Sequence, residues 1–440
     1  MRLFKKARLN ALLIIIIFIL ILSKQVMAAN VEISVYDSAI NISINGQNYS
    51  SGDLIFINSS DVLRFNSLFD GLKSIEANVS YKDRNISSDI IPISFVETGT
   101  LSNWSWQALN PIAGDFIGGD EDDLLALYSR AGNFSMIWGF EGNNNTLLEP
   151  ISLWASGYGK WDGDKTKLTV GDFNDDGLSD IMAFYGYGDQ HSKAWFFENS
   201  GRGFKEPDIW WSSNEGWNEA ATKMISGDFN NDGLIDLLAL YTFDDGKSTF
   251  WFFENNGKRL GEPKKWWGST SQWLGEKSQV LPGDFDLDGT LDLLIMYNYG
   301  DRRARMWFFQ GYGAGFYAPQ VWWDSGNDGW NAGATKIAAG DFNDDGLIDI
   351  FGLYTHANKR SSAWIFVNSI GDYNNPIKLW DSGEGNWDGE RTKIVSGDFD
   401  GDGLVSSIVA ISDAQDKGVG VFLLGPIDDQ SETDLWVRQF

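Results

Sequence analysis

The chain has 440 residues, a formal net charge of −27, no Cys, 2 His, 49 Gly and 21 Trp. Absence of Cys excludes a disulfide scaffold, a thiol nucleophile and any Cys-ligated zinc or iron–sulfur centre. His191 and His356, far apart in sequence, leave little room for a His-rich metal site or a Ser-His-Asp hydrolase, and the acidic balance argues against nucleic acid, whose phosphates need clustered Lys and Arg.

Arg2, Lys5, Lys6 and Arg8 precede a 12-residue apolar run at 11–22, and small residues follow up to Ala28. This pattern predicts a signal peptide over 1–28, cleaved near Ala28, and so a secreted or cell-surface protein. A retained membrane anchor is the alternative, but the run is shorter than the roughly 20 residues that span a bilayer. No other segment reads as a transmembrane span. A secreted chain without Cys is more typical of a prokaryote.

Residues 29–100 contain no Trp. They show short alternating runs at 31–35, 41–46, 54–58, 62–66, 75–81 and 90–96. Period-two alternation at this spacing predicts strands, and hence a small β-sandwich of immunoglobulin-like size.

Residues 101–440 are a repeat. Gly-Asp-Phe recurs with its Asp at 115, 172, 228, 284, 341 and 398, at intervals of 57, 56, 56, 57 and 57. One structural unit per repeat follows. Tyr128, Tyr185, Tyr241, Tyr297 and Tyr354 stand 13 residues after the Asp, and Trp138, Trp195, Trp251, Trp307 and Trp364 stand 23 after it. The sixth unit has Ile411 and Val421 at those two places. In the unit 219–267, ATKMISGDF, DLLALYTF, STFWFFEN and PKKWW read as four strands, with hairpin chemistry at 244–247. Four short antiparallel strands repeated six times predict an all-β, six-bladed β-propeller. A seventh blade would have to come from residues 30–98, which lack the motif. Trp104-Ser-Trp106 and Leu435-Trp436-Val437 are expected to meet and close the ring.

Four units carry an uninterrupted acidic loop. Its donors are Asp172, Asn174, Asp176 and Asp180; Asp228, Asn230, Asp232 and Asp236; Asp284, Asp286, Asp288 and Asp292; and Asp341, Asn343, Asp345 and Asp349. The carbonyls of Leu178, Leu234, Thr290 and Leu347 stand at position 7, after a Gly at position 6 that permits the turn. Oxygen donors at 1, 3, 5, 7 and 9 suit Ca²⁺, which takes six to eight oxygens. Asx-turns without metal are the alternative, but several carboxylates in nine residues repel strongly without a cation. The first loop, Asp115 to Asp123, has Ile117 and Gly119 at positions 3 and 5. The last keeps Asp398, Asp400 and Asp402 but has Ser406 at position 9, so a weaker site is expected at 398–406. Since one short loop supplies every donor and no base recurs beside it, the cation is expected to be structural.

This GDFNDDGxxD loop, once per blade, resembles the FG-GAP and VCBS repeats. Integrin alpha chains, many secreted bacterial proteins and some fungal lectins carry such propellers. The resemblance covers about 340 residues and implies a calcium-binding propeller.

A second loop recurs after each fourth strand and ends at Trp161, Trp217, Trp273, Trp330 and Trp387. Counting strands places it at the blade end opposite the acidic loops. Indoles flanked by Gly, Ser, Asn and Asp suit a pyranose, so these five Trp are the candidate ligand-binding residues; stapling of adjacent blades is the alternative. The strand Trp set is assigned to the core. Three functions follow. The first is a non-catalytic glycan-binding module. The second is a protein-binding adhesin or scaffold of integrin-like fold. The third is an extracellular hydrolase or lyase.

Overall fold

In the computed structural model, residues 104–424 are described apart from 131, 144–145, 158, 202, 214–215, 327–328, 374 and 414–418. Outside that range only strands are described, including Leu54–Asn58, Val62–Ser67, Ile75–Val79 and Ile93–Glu97 where the sequence alternates, and Val437–Arg438 at the end. The leader expected over 1–28 and the packing of a sandwich over 29–100 lie outside the described residues.

Six four-stranded antiparallel sheets follow one another along the chain, each built from a contiguous stretch. In the third, Thr222–Gly227, Asp236–Thr242, Ser248–Phe253 and Lys264–Gly268 pair in sequence order. These are the four strands that the unit 219–267 predicts. The first strands of successive sheets lie beside one another, and the sixth lies beside the first, so the ring closes at six blades.

The burial of each strand follows from its radial place. Second strands are covered on both faces by neighbouring blades and read as unbroken apolar runs: Leu237, Leu238, Ala239 and Leu240 are fully buried. A strand packed on both faces gains nothing from alternation. Fourth strands lie outermost and begin exposed, as at Lys264 and Lys265. Between third and fourth strands the register slips by one residue in blades 1–5. That bulge lets adjacent Trp210 and Trp211 both be buried.

Gly-Asp-Phe recurs for packing reasons. Phe116, Phe173, Phe229, Phe285, Phe342 and Phe399 are each at most 1% exposed. The Gly receives the next blade: a Cβ on Gly340 would lie 2.2 Å from the Val405 carbonyl oxygen. At the corresponding Gly397, between blades 6 and 1, the neighbour is polar instead: Asp122. Asp122 N–H donates to the Asp398 carbonyl at 2.6 Å, and Asp398 N–H donates to Asp122 Oδ2 at 2.8 Å.

Leu435 and Trp436, expected to meet Trp104-Ser-Trp106 and close the ring, lie outside the described residues. Val437–Arg438 pairs with the third strand of its own blade. Trp104 packs on Tyr128 and Trp138 of blade 1, in a cluster shared with Val409, Ile411 and Val421 of blade 6. Trp104 thus fills the place that the loop Trp fills at the other seams. No helix among the described residues is long and apolar enough to cross a membrane.

Candidate functional site

Each acidic loop joins the first and second strands. Asp172 Oδ1 accepts the Asp176 N–H at 3.0 Å and Oδ2 the Gly177 N–H at 2.7 Å; Asp176 Oδ1 accepts the Leu178 N–H at 3.1 Å. The same bonds recur from Asp228, Asp284 and Asp341. Position 4 sits in the left-handed region (Asp175, Asn231, Leu287 and Asp344, φ 58–60°), and Gly at position 6 has φ of 82–90° in these four loops. The loop therefore needs Gly at 6 and tolerates Asn or Asp at 4.

Position 9 opens the second strand and is fully buried. Asp180, Asp236, Asp292 and Asp349 each use Oδ1 to accept a backbone N–H from the loop between third and fourth strands, at 2.7–2.8 Å. Asp236 Oδ2 and Asp349 Oδ2 are buried without a hydrogen-bond partner. Burial, followed by backbone bonds and the neighbouring loop acids, leaves each of these four carboxyls raised to about 7. Orphaned buried carboxylate oxygens beside further acids are what a bound cation satisfies. Carboxylate oxygens converge within 4.8 Å in two loops, at Asp284, Asp286 and Asp292 and at Asp398, Asp400 and Asp402. Both groups can hold a metal ion. The 398–406 loop thus gathers three carboxylates although Ser406 stands at its position 9. In blade 4, Gln310 Nε2 also reaches Asp286 at 2.8 Å and Asp288 at 3.1 Å. The first loop uses different means: Asp123 takes three backbone N–H bonds, from Phe116, Ile117 and Gly142.

The recurring Trp loops lie at the other end, as strand counting requires: Trp217 N–H donates to the carbonyl of Gln190, in the hairpin after the second strand. Three of their indoles are closed to a ligand and two are partly so. Trp161, Trp217 and Trp330 are 6–8% exposed, and Trp273 and Trp387 are partly buried. Trp217 meets Trp211 of one blade and Tyr241, Trp251 and Phe253 of the next, at centroid distances of 5.2–6.2 Å. Each Nε1 is also spent. Trp161, Trp217, Trp330 and Trp387 donate to Thr166, Thr222, Thr335 and Thr392, and Trp273 to Ser278, at 2.9–3.1 Å. This corrects their assignment as ligand-binding residues: the indole faces are occupied by neighbouring rings, so the five Trp staple adjacent blades. It also explains the Thr that precedes each first-strand Lys.

The third-strand Trp pack against the core, as expected, but unequally. Trp138 is buried, but Trp195, Trp251, Trp307 and Trp364 are only partly so. They lie on the same strand ends as residues of the second strands that the repeat does not fix. Those residues are Tyr187 (45% exposed), Phe243 (42%), Tyr299 (38%) and His356.

Blade 4 has the fullest set. Trp307 Nε1 donates to the Tyr299 hydroxyl at 3.0 Å. Arg303 and Arg305 each lie 5.5 Å from the Tyr299 ring, and Arg305 Nε donates to Asp324 Oδ2 at 2.6 Å. Partial burial pushes the Asp324 carboxyl up, but the Arg305 bond, the Gly326 N–H and Arg303 together hold it below the usual carboxylate range. In blade 2, Lys193 lies 4.9 Å from the Tyr187 ring and His191 stacks on it at 5.1 Å. In blade 5, Arg360 grips Asp381 through two bonds of 2.7 and 2.5 Å. Blade 3 has Phe243 and Trp251 with Thr249 where blade 4 has Arg305. Each of these four blades thus offers aromatic or imidazole rings here, and three add charged groups.

The FG-GAP-like repeat family matches residues 172–239 and 228–295, and the same loop, with the same internal bonds, continues in blade 5. This chain is an FG-GAP-type β-propeller. No curated protein matches it. Among solved structures the FG-GAP propeller is similar to AofleA from Arthrobotrys oligospora, at 13% identity over 72% of this chain and 82% of that one, with a TM-score of 0.42. It is similar to the Aleuria aurantia lectin in complex with Fucα1-6GlcNAc at 14% identity, over 72% and 91%, with a TM-score of 0.40. Another structure of that lectin, described as a six-bladed β-propeller, aligns at 12% identity over 72% and 90%, with a TM-score of 0.40.

Sequence reasoning passed over Tyr187, Tyr299, Arg305 and Asp324. Their signal was present: an aromatic residue recurs 15 positions after the loop Asp in three blades and is replaced in the other three by Arg130, His356 and Asp413.

Proposed function

We propose that this propeller is a secreted, calcium-braced binding module that takes glycans at the ends of its second and third strands and is not an enzyme. The observation that carries the reading is the blade 4 cluster, where exposed Tyr299 and half-buried Trp307 flank the Arg305–Asp324 pair. Aromatic faces cover the C–H face of a pyranose, while a guanidinium and a carboxylate in fixed geometry give and take hydroxyl hydrogen bonds. The blade 2 and blade 5 clusters repeat the theme with other side chains, and linked weak sites gain avidity of about 10²–10⁴ when they engage together. Asp324 and Asp381 are each committed to Arg, which suits recognition better than proton transfer.

Calcium would be held by the acidic loops of blades 2–5 and by Asp398, Asp400 and Asp402. Its role there is to neutralise the loop acids and fix the blade end. The leader-like run at 11–22 supports secretion. A protein partner is the second reading, favoured by exposed Leu287, Tyr312 and Tyr317 at the acidic-loop end of blade 4.

A glycan array probed with the chain, with and without calcium, tests the proposal. Expected is saturable binding that Tyr299→Ala and Asp324→Asn weaken without changing the melting temperature. Binding to no glycan, or binding indifferent to both substitutions, overturns it.

A further inference from the structure

The second residue of each first strand faces the propeller axis, and in four blades it is Lys. Three of those Lys, and the Gln that replaces it in blade 4, are tied to the following blade. Lys336 Nζ donates to the Gly389 carbonyl and Lys393 Nζ to the Leu109 carbonyl. Gln279 Nε2 donates to the carbonyls of Ala332 and Thr335, at 3.3 and 2.9 Å. Lys167 pairs with Glu219 at 3.0 Å. Lys223 is the exception. It is partly buried, yet among the described residues its ammonium has no hydrogen-bond or ion-pair partner.

Lys223 lines a cavity of about 1170 Å³ at the axial mouth on the Trp-loop side. The same cavity is lined by Asn110, Asn218 and Gln272, while Asp164, Asp244, Asp245 and Glu276 stand on its exposed rim. Burial, and then the neighbouring Lys167, both push the Lys223 ammonium down. A desolvated cation beside a second cation is costly until an anion joins it. The volume exceeds what one sugar ring needs and is at the upper end of small-ligand sites, about 300–1,000 Å³. A cation at depth, amides around it and carboxylates at the rim together suit a ligand with one acid group and many hydroxyls.

We propose that this axial mouth binds an acidic sugar, its carboxylate on the Lys223 ammonium and its hydroxyls on Asn110, Asn218, Gln272 and the rim acids. The site is separate from the strand-end clusters and uses none of their residues.

The test is calorimetric titration of the full chain with galacturonate and with glucuronate, each against its neutral parent sugar. Expected is saturable binding of at least one uronate, at least tenfold tighter than its parent. Lys223→Gln should weaken it at least tenfold. This variant installs the residue that blade 4 already holds at that place, and an unchanged melting curve shows that it folds. Lys336→Gln, at a tied position, should leave uronate affinity within twofold. Tyr299→Ala should also leave it unchanged, which separates this site from the strand-end reading. The proposal is overturned if neither uronate binds, if Lys223→Gln binds as the parent chain does, or if inorganic sulfate competes as strongly as the uronates, since that outcome makes the cavity a bare anion site.

Discussion

Two sets of aromatic residues stand near the same end of this propeller, and they behave in opposite ways. The loop Trp, constant from blade to blade, are enclosed between sheets with both their faces and their Nε1 occupied. The residues at the ends of the second strands vary among Tyr, Phe, His, Arg and Asp, and the aromatic ones stand open to solvent. The difference teaches where to look in a repeat protein. What every blade must do identically is pack against its neighbour, so strict repetition marks the seam. A ligand needs only some blades, so the positions that the repeat releases are free to build sites.

The comparison breaks most decisively at a staple. Trp217→Ala should cost about 3–5 kcal/mol, because it removes a fully enclosed side chain between two sheets. Differential scanning calorimetry should show a large fall in melting temperature, whereas Tyr187→Ala should scarcely move it. A loop Trp whose removal spared the fold but abolished glycan binding would reverse the assignment. Next comes metal. Calcium at about 100 times its dissociation constant should stabilise by about 2.7 kcal/mol per site, so EDTA should lower the melting temperature and added calcium restore it. Retention of the full melting temperature in EDTA would leave the loops as Asx-turns. Gly340→Ala should cost about 1–3 kcal/mol by overpacking, because its Cβ would meet the backbone oxygen of Val405, which cannot swing aside. Urea unfolding reads this directly.

Smaller effects lie on the exposed side. Removing the Tyr299 ring should cost about 0.5–1.5 kcal/mol of glycan affinity, measured by titration, with stability unchanged. Least of all, Arg360→Ala should scarcely change the melting temperature, because the Arg360–Asp381 pair lies near the surface where ion pairs are screened. A double-mutant cycle with Asp381→Asn isolates that term.

Much of the fold was legible. The 56–57-residue period, four strand runs per unit and the turn chemistry specify six antiparallel sheets, because local hydrogen bonding and patterning decide each blade within its own stretch of chain. The acidic loops were legible for the same reason: every donor comes from nine consecutive residues. The role of Trp104 as the sixth staple was not legible, because its partners stand in blades 1 and 6. The Thr-Lys pair before four of the six Gly-Asp-Phe motifs reads only as a strand start. Its two roles, accepting an indole N–H five residues back and tying the next blade, need the third dimension.

The sequence by itself determined the blades, their number and the composition of the loops, because these depend on contacts close along the chain. Only the tertiary structure decided which Trp are open and which are sealed, because exposure at a seam depends on what the next blade presents, about 57 residues away. Tertiary structure likewise decided that, among the described residues, Lys223 alone of these four Lys is left without a side-chain partner, since the groups that hold Lys167, Lys336 and Lys393 all belong to other blades or to the turns that lead into them.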